Sequence, residues 1–108
     1  MGEDMNLKDY LSKQIVFSSA TFGPGPRTDG VLDHIRKELI EIEEQPDDLE
    51  EWIDVTMLAL DGAWRAGYTP QQIVDQLEAK LKKNMSRDWP DWRTADQGKA
   101  IEHVRVSE

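Results

Sequence analysis

Four carboxylates recur at a spacing of three residues in the middle of the chain. Glu38 and Glu41 form an E-x-x-E pair, and Glu51 and Asp54 form an E-x-x-D pair further along. Residues three apart on a helix lie on neighbouring turns of one face, so each pair can point at a single place. Two antiparallel helices joined by a tight turn would bring both pairs together. Four converging carboxylates repel one another unless cations lie among them.

Oxygen-only ligand sets suit Mg²⁺ or Mn²⁺ better than zinc or copper. A magnesium ion held by a few carboxylates keeps coordination positions for water and for substrate phosphates. Such a site favours phosphoryl chemistry, in which a metal-bound water is the nucleophile and the metal offsets the charge on the phosphates. The four carboxylates therefore predict a Mg²⁺ site in which Mn²⁺ can substitute.

The same acidic residues have ordinary structural explanations. Glu51 lies three residues after Asp48, so it could complete a capping arrangement at a helix N-terminus. Glu38 and Glu41 could be solvated, or could pair with Lys37 and other basic residues nearby.

Two features favour a metal site over these explanations. The acidic stripe through Glu38 and Glu41 lies beside the apolar stripe of its helix and not opposite to it. Asp54 and Asp61 interrupt a helix whose other positions are mostly apolar. Buried carboxylates need partners, and a metal ion can serve several of them at once.

The elements that must position these residues are all helical. Apolar residues recur at helical spacing in four segments, and no segment shows the alternation of a strand, so we predict an all-α fold of four helices. Capping residues, prolines and glycines give the expected ends. The predicted helices run from about Leu7 to Phe17, from Thr28 or Asp29 to Gln45, from Asp47 or Asp48 to Ala66, and from Thr69–Pro70 to about Asn84.

The rest of the chain is predicted to be less regular. We expect residues 1–6 to be flexible, and residues 88–108 to form an irregular tail packed on the body, with one short helix near residues 99–104. The third helix is apolar almost all round, which indicates burial on more than one side. Stacking of two helix pairs would bury it, so a homo-oligomer is expected.

Composition limits the classes of protein that fit. A chain of 108 residues forms one small domain, here residues 1–108. The formal net charge of -9 disfavours broad DNA or RNA binding, because phosphate backbones would be repelled. There are no cysteines, and neither a signal peptide nor a membrane-spanning segment is recognisable. These features predict a cytoplasmic protein, in the host cytoplasm if a phage encodes it.

The two acidic pairs and their flanks resemble a known family. Together with TFGPGPRTDGVLDHIRKELIEIE, WIDVTMLALDGAWRAG, RDWPDWR and AIEHVR, they are similar to the all-α, MazG-like nucleoside triphosphate pyrophosphohydrolases. Within that group they resemble the dATP/dGTP diphosphohydrolases, which include the phage MazZ enzymes. The resemblance extends from about Phe17 to Arg105 and implies a four-helix MazG-like bundle that oligomerises through its helices.

The resemblance implies a reaction and a place for it. Members cleave a nucleoside triphosphate between the α and β phosphates, giving the monophosphate and pyrophosphate. The MazZ branch favours dGTP, some members also accept dATP, and phages use the product in making 2-aminoadenine DNA. By position, the four carboxylates would bind Mg²⁺, with Glu38 or Glu41 as the base. A dimer, often paired into a tetramer, is implied as well.

One departure from the family pattern leaves details open. The first element often begins with paired acids, whereas here Lys37 precedes Glu38, so the number of metals is not determined. Glu50 is an alternative to Glu51 if the turn shifts the register.

The fourth helix contains residues that resemble the K-x-x-x-N-x-x-R element of the same family. The resemblance implies that Lys80, Asn84 and Arg87 hold substrate phosphates, and Lys83 is a further candidate. The alternative is that these cations only complement the helix dipole at its C-terminal end.

A purine needs a flat apolar surface and a few polar contacts. Ser18, Phe22 and Arg27, in the connector after the first helix, and His34 are the candidates for this base and sugar pocket. His34 could instead contact phosphate, hydrogen-bond to a ligand carboxylate or serve the fold, and the connector residues could simply form a turn.

The sequence therefore predicts a Mg²⁺-dependent pyrophosphohydrolase acting on purine deoxynucleoside triphosphates. A house-cleaning enzyme for pyrimidine or modified nucleotides is the alternative within the same chemistry. A helical regulatory or dimerisation module without catalysis is the alternative outside it.

Overall fold

The computed structural model describes residues 5–105, and these contain four α-helices and no strand. The helices are α1 (Leu7–Phe22), α2 (Thr28–Glu44), α3 (Leu49–Arg65) and α4 (Pro70–Ser86), and a 3₁₀ turn follows at Trp92–Thr94. The all-α prediction is confirmed. The chain divides into two compact units, one ending at Val74 and one beginning at Asp75, and each is described by itself.

Helix α1 is longer than the sequence predicts. Asn6 caps it by accepting a hydrogen bond from the Asp9 backbone at 2.9 Å. We expected the helix to end before Ser18, but it continues to Phe22 because the intervening residues contain no helix breaker. The break comes at Gly23, whose φ of +91° suits glycine and whose N–H bonds to the Ser19 carbonyl.

Helix α2 begins slightly earlier than its predicted caps. Thr28 and Asp29 lie inside the first turn, and Arg27 takes the N-cap position without a side-chain capping bond. The first helical bond already runs from Val31 N to Arg27 O, at 2.9 Å. The predicted end at Gln45 is confirmed, since the next residue is proline.

The ends of α3 and α4 follow their local signals. Asp48 caps α3 by accepting from Glu50 N at 3.0 Å. After Ala66 the chain turns at Gly67, with φ of +107°. At the start of α4, Gln72 N donates to Thr69 Oγ1 at 3.2 Å and Thr69 N donates to Gln72 Oε1 at 2.9 Å. This reciprocal capping box satisfies two N–H groups that a helix start leaves free.

In the first unit, α3 packs against both α1 and α2. The fully apolar core is small, with Leu11 and Val31 among its buried members. Helix α3 was expected to be buried on several sides, but in the single chain Trp52 is 51% and Ile53 44% exposed. Much of the apolar surface that the sequence provides is therefore left uncovered by this chain alone.

In the second unit, the segment after α4 folds back on the end of that helix. Trp89 Nε1 donates to the Asn84 carbonyl at 2.7 Å, and its indole ring packs edge-on against His103 at 5.9 Å. Val104 N donates to the Asp88 carbonyl at 2.7 Å. The helix expected near residues 99–104 is absent: residue 99 lies in a bend, residues 100–104 have no regular secondary structure, and Val104 reaches back to Asp88.

Of the expected flexible start, residues 1–4 lie outside the described residues, as do residues 106–108 of the tail. None of the helices among the described residues combines the length and the apolar character needed to cross a membrane.

Candidate metal centre and adjoining cavity

Helices α2 and α3, joined by residues 45–48, bring the four predicted carboxylates together. One oxygen from each of Glu38, Glu41, Glu51 and Asp54 lies within 4.8 Å of the others. Glu38 is buried, Glu51 and Asp54 are half-buried, and Glu41 is exposed. We call these four residues the carboxylate cluster. The three-residue spacing places each pair on one helix face, and the short connection sets the faces opposite each other.

Two oxygens of the carboxylate cluster have no hydrogen-bond partner. Glu38 Oε2 and Glu51 Oε2 are both buried and unpaired, whereas Glu38 Oε1 lies 3.2 Å from His34 Nε2. A buried acceptor without a partner destabilises the fold, and a bound cation would satisfy it. The donor set consists only of carboxylate oxygens, which fits a hard divalent cation such as Mg²⁺ or Mn²⁺.

The crowding of negative charge also shifts protonation equilibria. The closely placed Glu41 carboxylate, together with burial and the charge of Asp54, raises the pKa of Glu38, while His34 opposes this. Burial and the charge of Glu41 raise the pKa of Glu51. Both shifts have the sign expected where carboxylates share a site without a countercharge.

The structure also decides between the ordinary explanations of these acids. The Asp48 side chain accepts from Glu50 N, and Asp48 N donates to the Gln45 carbonyl, so the Glu51 side chain takes no part in capping. Glu50 is exposed and lies outside the carboxylate cluster. Lys37 pairs with Asp33, at 3.4 Å. Capping and surface pairing therefore do not account for the cluster.

Asp61, which interrupts the apolar pattern of its helix and needs a partner when buried, is satisfied by the protein itself. Its Oδ1 accepts from Gln14 Nε2 and Trp64 Nε1, both at 2.9 Å. Its Oδ2 accepts from Ser18 Oγ at 2.5 Å and lies 3.5 Å from Arg65 Nε. Burial alone would raise the pKa of Asp61, but the bonds from Ser18, Gln14 and Trp64 and the charge of Arg65 lower it.

Arg65 extends this buried network to the connector between α1 and α2. Its guanidinium donates to the Gly23 carbonyl at 2.8 Å and to the Gly25 carbonyl at 2.9 Å. It also donates to Ser18 Oγ at 2.9 Å. The Asp61–Arg65 pair thereby fixes the end of α1 and the following glycine-rich turn against α3.

A cavity of about 350 Å³ adjoins the carboxylate cluster. Glu38 and Asp54 contribute to its wall, and so do Phe17 and Phe22. The two phenylalanine rings pack edge-on, with their centroids 6.3 Å apart. Its size falls in the range of small-molecule sites, roughly 300–1,000 Å³. Aromatic surface and carboxylates thus face one space.

The predicted base and sugar residues lie in two neighbouring places. Ser18, Phe22 and His34 line the cavity of about 350 Å³, although the Ser18 hydroxyl is already bound to Asp61 and Arg65. Arg27 lies beside a second cavity of about 400 Å³ whose wall also contains Phe22 and His34.

The sequence interpretation missed Gln14 and Phe17 in the cavity wall. Leu11, Gln14 and Ser18 are all buried on one face of α1, at the spacing of a helix stripe. The sequence signal for Gln14 was its place, as a polar residue, at a position of α1 that the helical spacing predicts to be buried.

The predicted phosphate residues belong to the second unit. Lys80 and Lys83 are exposed, and Asn84 Oδ1 accepts from the Arg87 guanidinium at 3.0 Å. Burial lowers the pKa of His103, and so do the nearby charges of Arg87, Arg105 and Lys80. This end of α4 is therefore rich in positive charge.

A comparison with solved structures identifies the fold of this chain. The fold matches that of the cyanophage S-2L MazG-like pyrophosphohydrolase, solved with dGDP and three catalytic Mn²⁺ ions per active site. The TM-score is 0.72 at 22% sequence identity, and the match covers 94% of this chain and 100% of that one. The fold is therefore that of the MazG-like all-α proteins.

The chain belongs to the dATP/dGTP pyrophosphohydrolase family, whose model matches residues 10–107. It is accordingly a nucleoside triphosphate pyrophosphohydrolase. No match was found among curated proteins.

Proposed function

We propose that this protein hydrolyses dGTP, dATP or both between the α and β phosphates, releasing the deoxynucleoside monophosphate and pyrophosphate. The observation that carries the proposal is the carboxylate cluster with its unpaired buried oxygens, two of whose members, Glu38 and Asp54, line a cavity together with aromatic rings. Membership of the dATP/dGTP family supports purine substrates. The dGDP and Mn²⁺ bound by the structurally similar phage enzyme are consistent with it.

The carboxylate cluster would hold Mg²⁺, or Mn²⁺ in its place. When bound, the metal would lower the pKa of an attacking water and offset the charge on the phosphates. Glu38 and Glu41 are the candidates for accepting the proton of that water.

Several further residues would position the reactants. His34 lies beside Glu38 Oε1 and can hold that carboxylate in place. The rings of Phe17 and Phe22 offer apolar surface to the base. Because Glu38 lines the same cavity, a nucleotide bound there would have its phosphates next to the carboxylate cluster. Lys80, Lys83, Asn84 and Arg87 would contact the β and γ phosphates, where positive charge and amide N–H groups stabilise the leaving pyrophosphate.

A role in 2-aminoadenine DNA synthesis is the finer part of the proposal. There the dGMP product would supply a succinoamino-deoxyadenylate synthase, which replaces the 6-oxygen of guanine with the amino nitrogen of aspartate. A preference for dGTP over dATP in the assay below would support this role, and a preference for dATP would oppose it.

The proposal is tested by incubating purified protein with each deoxy- and ribonucleoside triphosphate and Mg²⁺ or Mn²⁺. Chromatography should show dGMP or dAMP together with pyrophosphate, and EDTA should abolish both products. Formation of a diphosphate and orthophosphate would contradict cleavage between the α and β phosphates.

The substrate series separates the alternatives. Turnover confined to pyrimidine triphosphates would preserve the reaction and reject the purine assignment. Absence of turnover with every nucleotide, in folded protein, would reject the proposed function.

A further inference from the structure

Gln14 is a buried polar residue in the cavity beside the carboxylate cluster. It is only 6% exposed. Its amide nitrogen donates to the Met57 carbonyl at 2.8 Å and to Asp61 Oδ1 at 2.9 Å. Its amide oxygen, Oε1, is buried and has no hydrogen-bond partner. The side chain lines the cavity and therefore places an unused, enclosed acceptor in the cavity wall.

The orientation of this amide is determined by its neighbours. Both partners of Nε2 are acceptors, one a backbone carbonyl and the other a carboxylate whose pKa is lowered by its hydrogen bonds. Rotating the amide by half a turn would place Oε1 against two acceptors and remove both bonds. Gln14 is thus held with the nitrogen engaged and the oxygen free to accept.

The position of Gln14 Oε1 determines which ligand group could donate a hydrogen bond to it. Gln14 lines the same cavity as Phe17, Phe22, Glu38 and Asp54. A flat ligand could lie against the rings of Phe17 and Phe22 with its phosphates next to Glu38 and Asp54. The edge of its ring system would then approach the rest of the cavity wall, which includes Gln14. A group that meets Oε1 favourably must be a hydrogen-bond donor.

We propose that Gln14 determines base specificity, its Oε1 accepting a hydrogen bond from an N–H of the bound purine. The inference rests on the proposed function, because it concerns the same substrate in the same cavity. Guanine offers a ring N–H and a 2-amino group, and adenine offers a 6-amino group. Unsubstituted purine has the same ring system and no such donor, so it leaves Oε1 unpaired.

Sites built around a hydrogen bond reject analogues that lack the matching group, since their own polar atom is then left buried and unsatisfied. We therefore expect wild-type protein to process purine 2′-deoxyriboside 5′-triphosphate with kcat/KM at least ~10-fold below that of the better of dGTP and dATP. The loss should fall mainly on KM. Equal kcat/KM for the substituted and unsubstituted purines would overturn the proposal.

Gln14→Met tests the residue itself, because methionine has a similar length and carries no strong acceptor. The variant should lose activity on dGTP and dATP while its activity on the unsubstituted purine stays nearly constant, so the discrimination ratio collapses towards one. A merely structural role would lower kcat/KM for all three substrates in parallel and keep the ratio. Gln76→Met, at an exposed position of α4, is the matched control and should leave the ratio unchanged.

The role of Gln14 and the proposed function can be rejected separately. If Gln14→Met does not fold, the substrate series with wild-type protein still decides the matter. Hydrolysis of dGTP or dATP without discrimination would reject the role of Gln14 alone. Absence of all hydrolysis would reject the proposed function, and calorimetric binding of the same three nucleotides to wild-type protein would then test the acceptor.

Discussion

At the scale of single residues, the members of the carboxylate cluster differ in their surroundings. Glu41 is exposed, whereas Glu38 is buried beside His34 and keeps one unpaired oxygen. Asp54 stands in the cavity wall together with Glu38. If these residues hold the metal, each contributes mainly to catalysis and little to the stability of the fold. In protein without metal, neutralising one carboxylate reduces the repulsion within the cluster.

Glu41→Gln and Asp54→Asn should each lower kcat by ~100-fold or more while the helical circular dichroism spectrum is retained. The expected size follows from the loss of a metal ligand or a general base. Steady-state hydrolysis of dGTP and dATP measures the effect. Glu43→Gln, at an exposed position outside the cluster, should remain as active as wild type. Full activity in both cluster variants would reject the assignment of metal ligands.

Divalent metal should stabilise the folded protein through the same residues. Binding at 100-fold excess over Kd adds about 2.7 kcal/mol to the free energy of unfolding, so Tm should rise by several degrees with Mg²⁺ relative to EDTA. Glu51→Gln should lose most of this increase. In EDTA the same variant should be at least as stable as wild type, because a repelled carboxylate is gone. Scanning calorimetry measures both, and an unchanged Tm on adding metal to wild type would contradict the prediction.

At the scale of elements, the Asp61–Arg65 network connects helices that are far apart in sequence. It joins α3 to Gln14 and Ser18 on α1 and to the carbonyls of the glycine turn that follows. Few apolar residues are fully buried in the described part of the chain. The position of the cavity wall that α1 provides therefore depends on a polar network.

Asp61→Asn should destabilise the protein by about 3 kcal/mol, because it leaves the buried Arg65 guanidinium without its countercharge. Urea unfolding followed by circular dichroism measures the change. Asp33→Asn, which breaks the exposed pair with Lys37, is the control and should cost less than about 0.5 kcal/mol. Equal effects of the two substitutions would contradict the role of the network.

The contribution of Asp61 should depend on pH in a defined direction. Its pKa in the folded protein lies below the ordinary value of 3.8, so the unfolded chain takes up the proton first as the pH falls. The stability difference between wild type and Asp61→Asn should therefore be constant at neutral pH and shrink as the pH falls below about 4. A difference that grows on acidification would contradict this sign.

At the scale of the whole molecule, the chain leaves many large apolar side chains uncovered. Val16, Ile40, Leu49 and Trp52 are each more than half exposed. Exposed apolar surface of this kind marks interaction sites, and the small apolar core of the first unit gives little stability by itself. These features support the expectation of a homo-oligomer, either dimer or tetramer.

Sedimentation equilibrium should accordingly give a mass at least twice the 12.4 kDa of one chain. The Tm should rise with protein concentration, since association stabilises the folded state by mass action. Ile40→Lys should weaken association if that residue lies in the interface, and Ser12→Lys is an exposed polar control. A monomeric mass at all concentrations would reject the expectation.

Much of the fold could be predicted because its signals are local. The caps at Asp48 and Thr69, the proline after Gln45 and the glycine at Gly67 each act within a few residues, and the helix ends follow them. The end of α1 was misplaced because Ser and Thr are neutral in a helix when no breaker accompanies them. The short helix expected in the tail failed because long-range pairing with Asp88 overrode local preference.

The convergence of the four carboxylates could be predicted, because two short-range spacings and one tight turn suffice to bring them together. Membership of the dATP/dGTP family, confirmed by the family match, was likewise visible in the order of the motifs. The narrower MazZ assignment, the phosphate residues in α4 and the metal-binding role stay predictions.

The sequence by itself determined the four helices, the faces that carry the two acidic pairs and the family. Only the tertiary structure decided which buried polar groups meet. Gln14 and Asp61 lie 47 residues apart and Ser18 and Asp61 lie 43 apart, so no local pattern relates them. Helix periodicity is set by neighbours within one or two turns, whereas the partner of a buried polar atom depends on how distant helices pack. For that reason the partners of Asp61 could not be named from the sequence, and Gln14 could not be recognised until α1 was placed against α3.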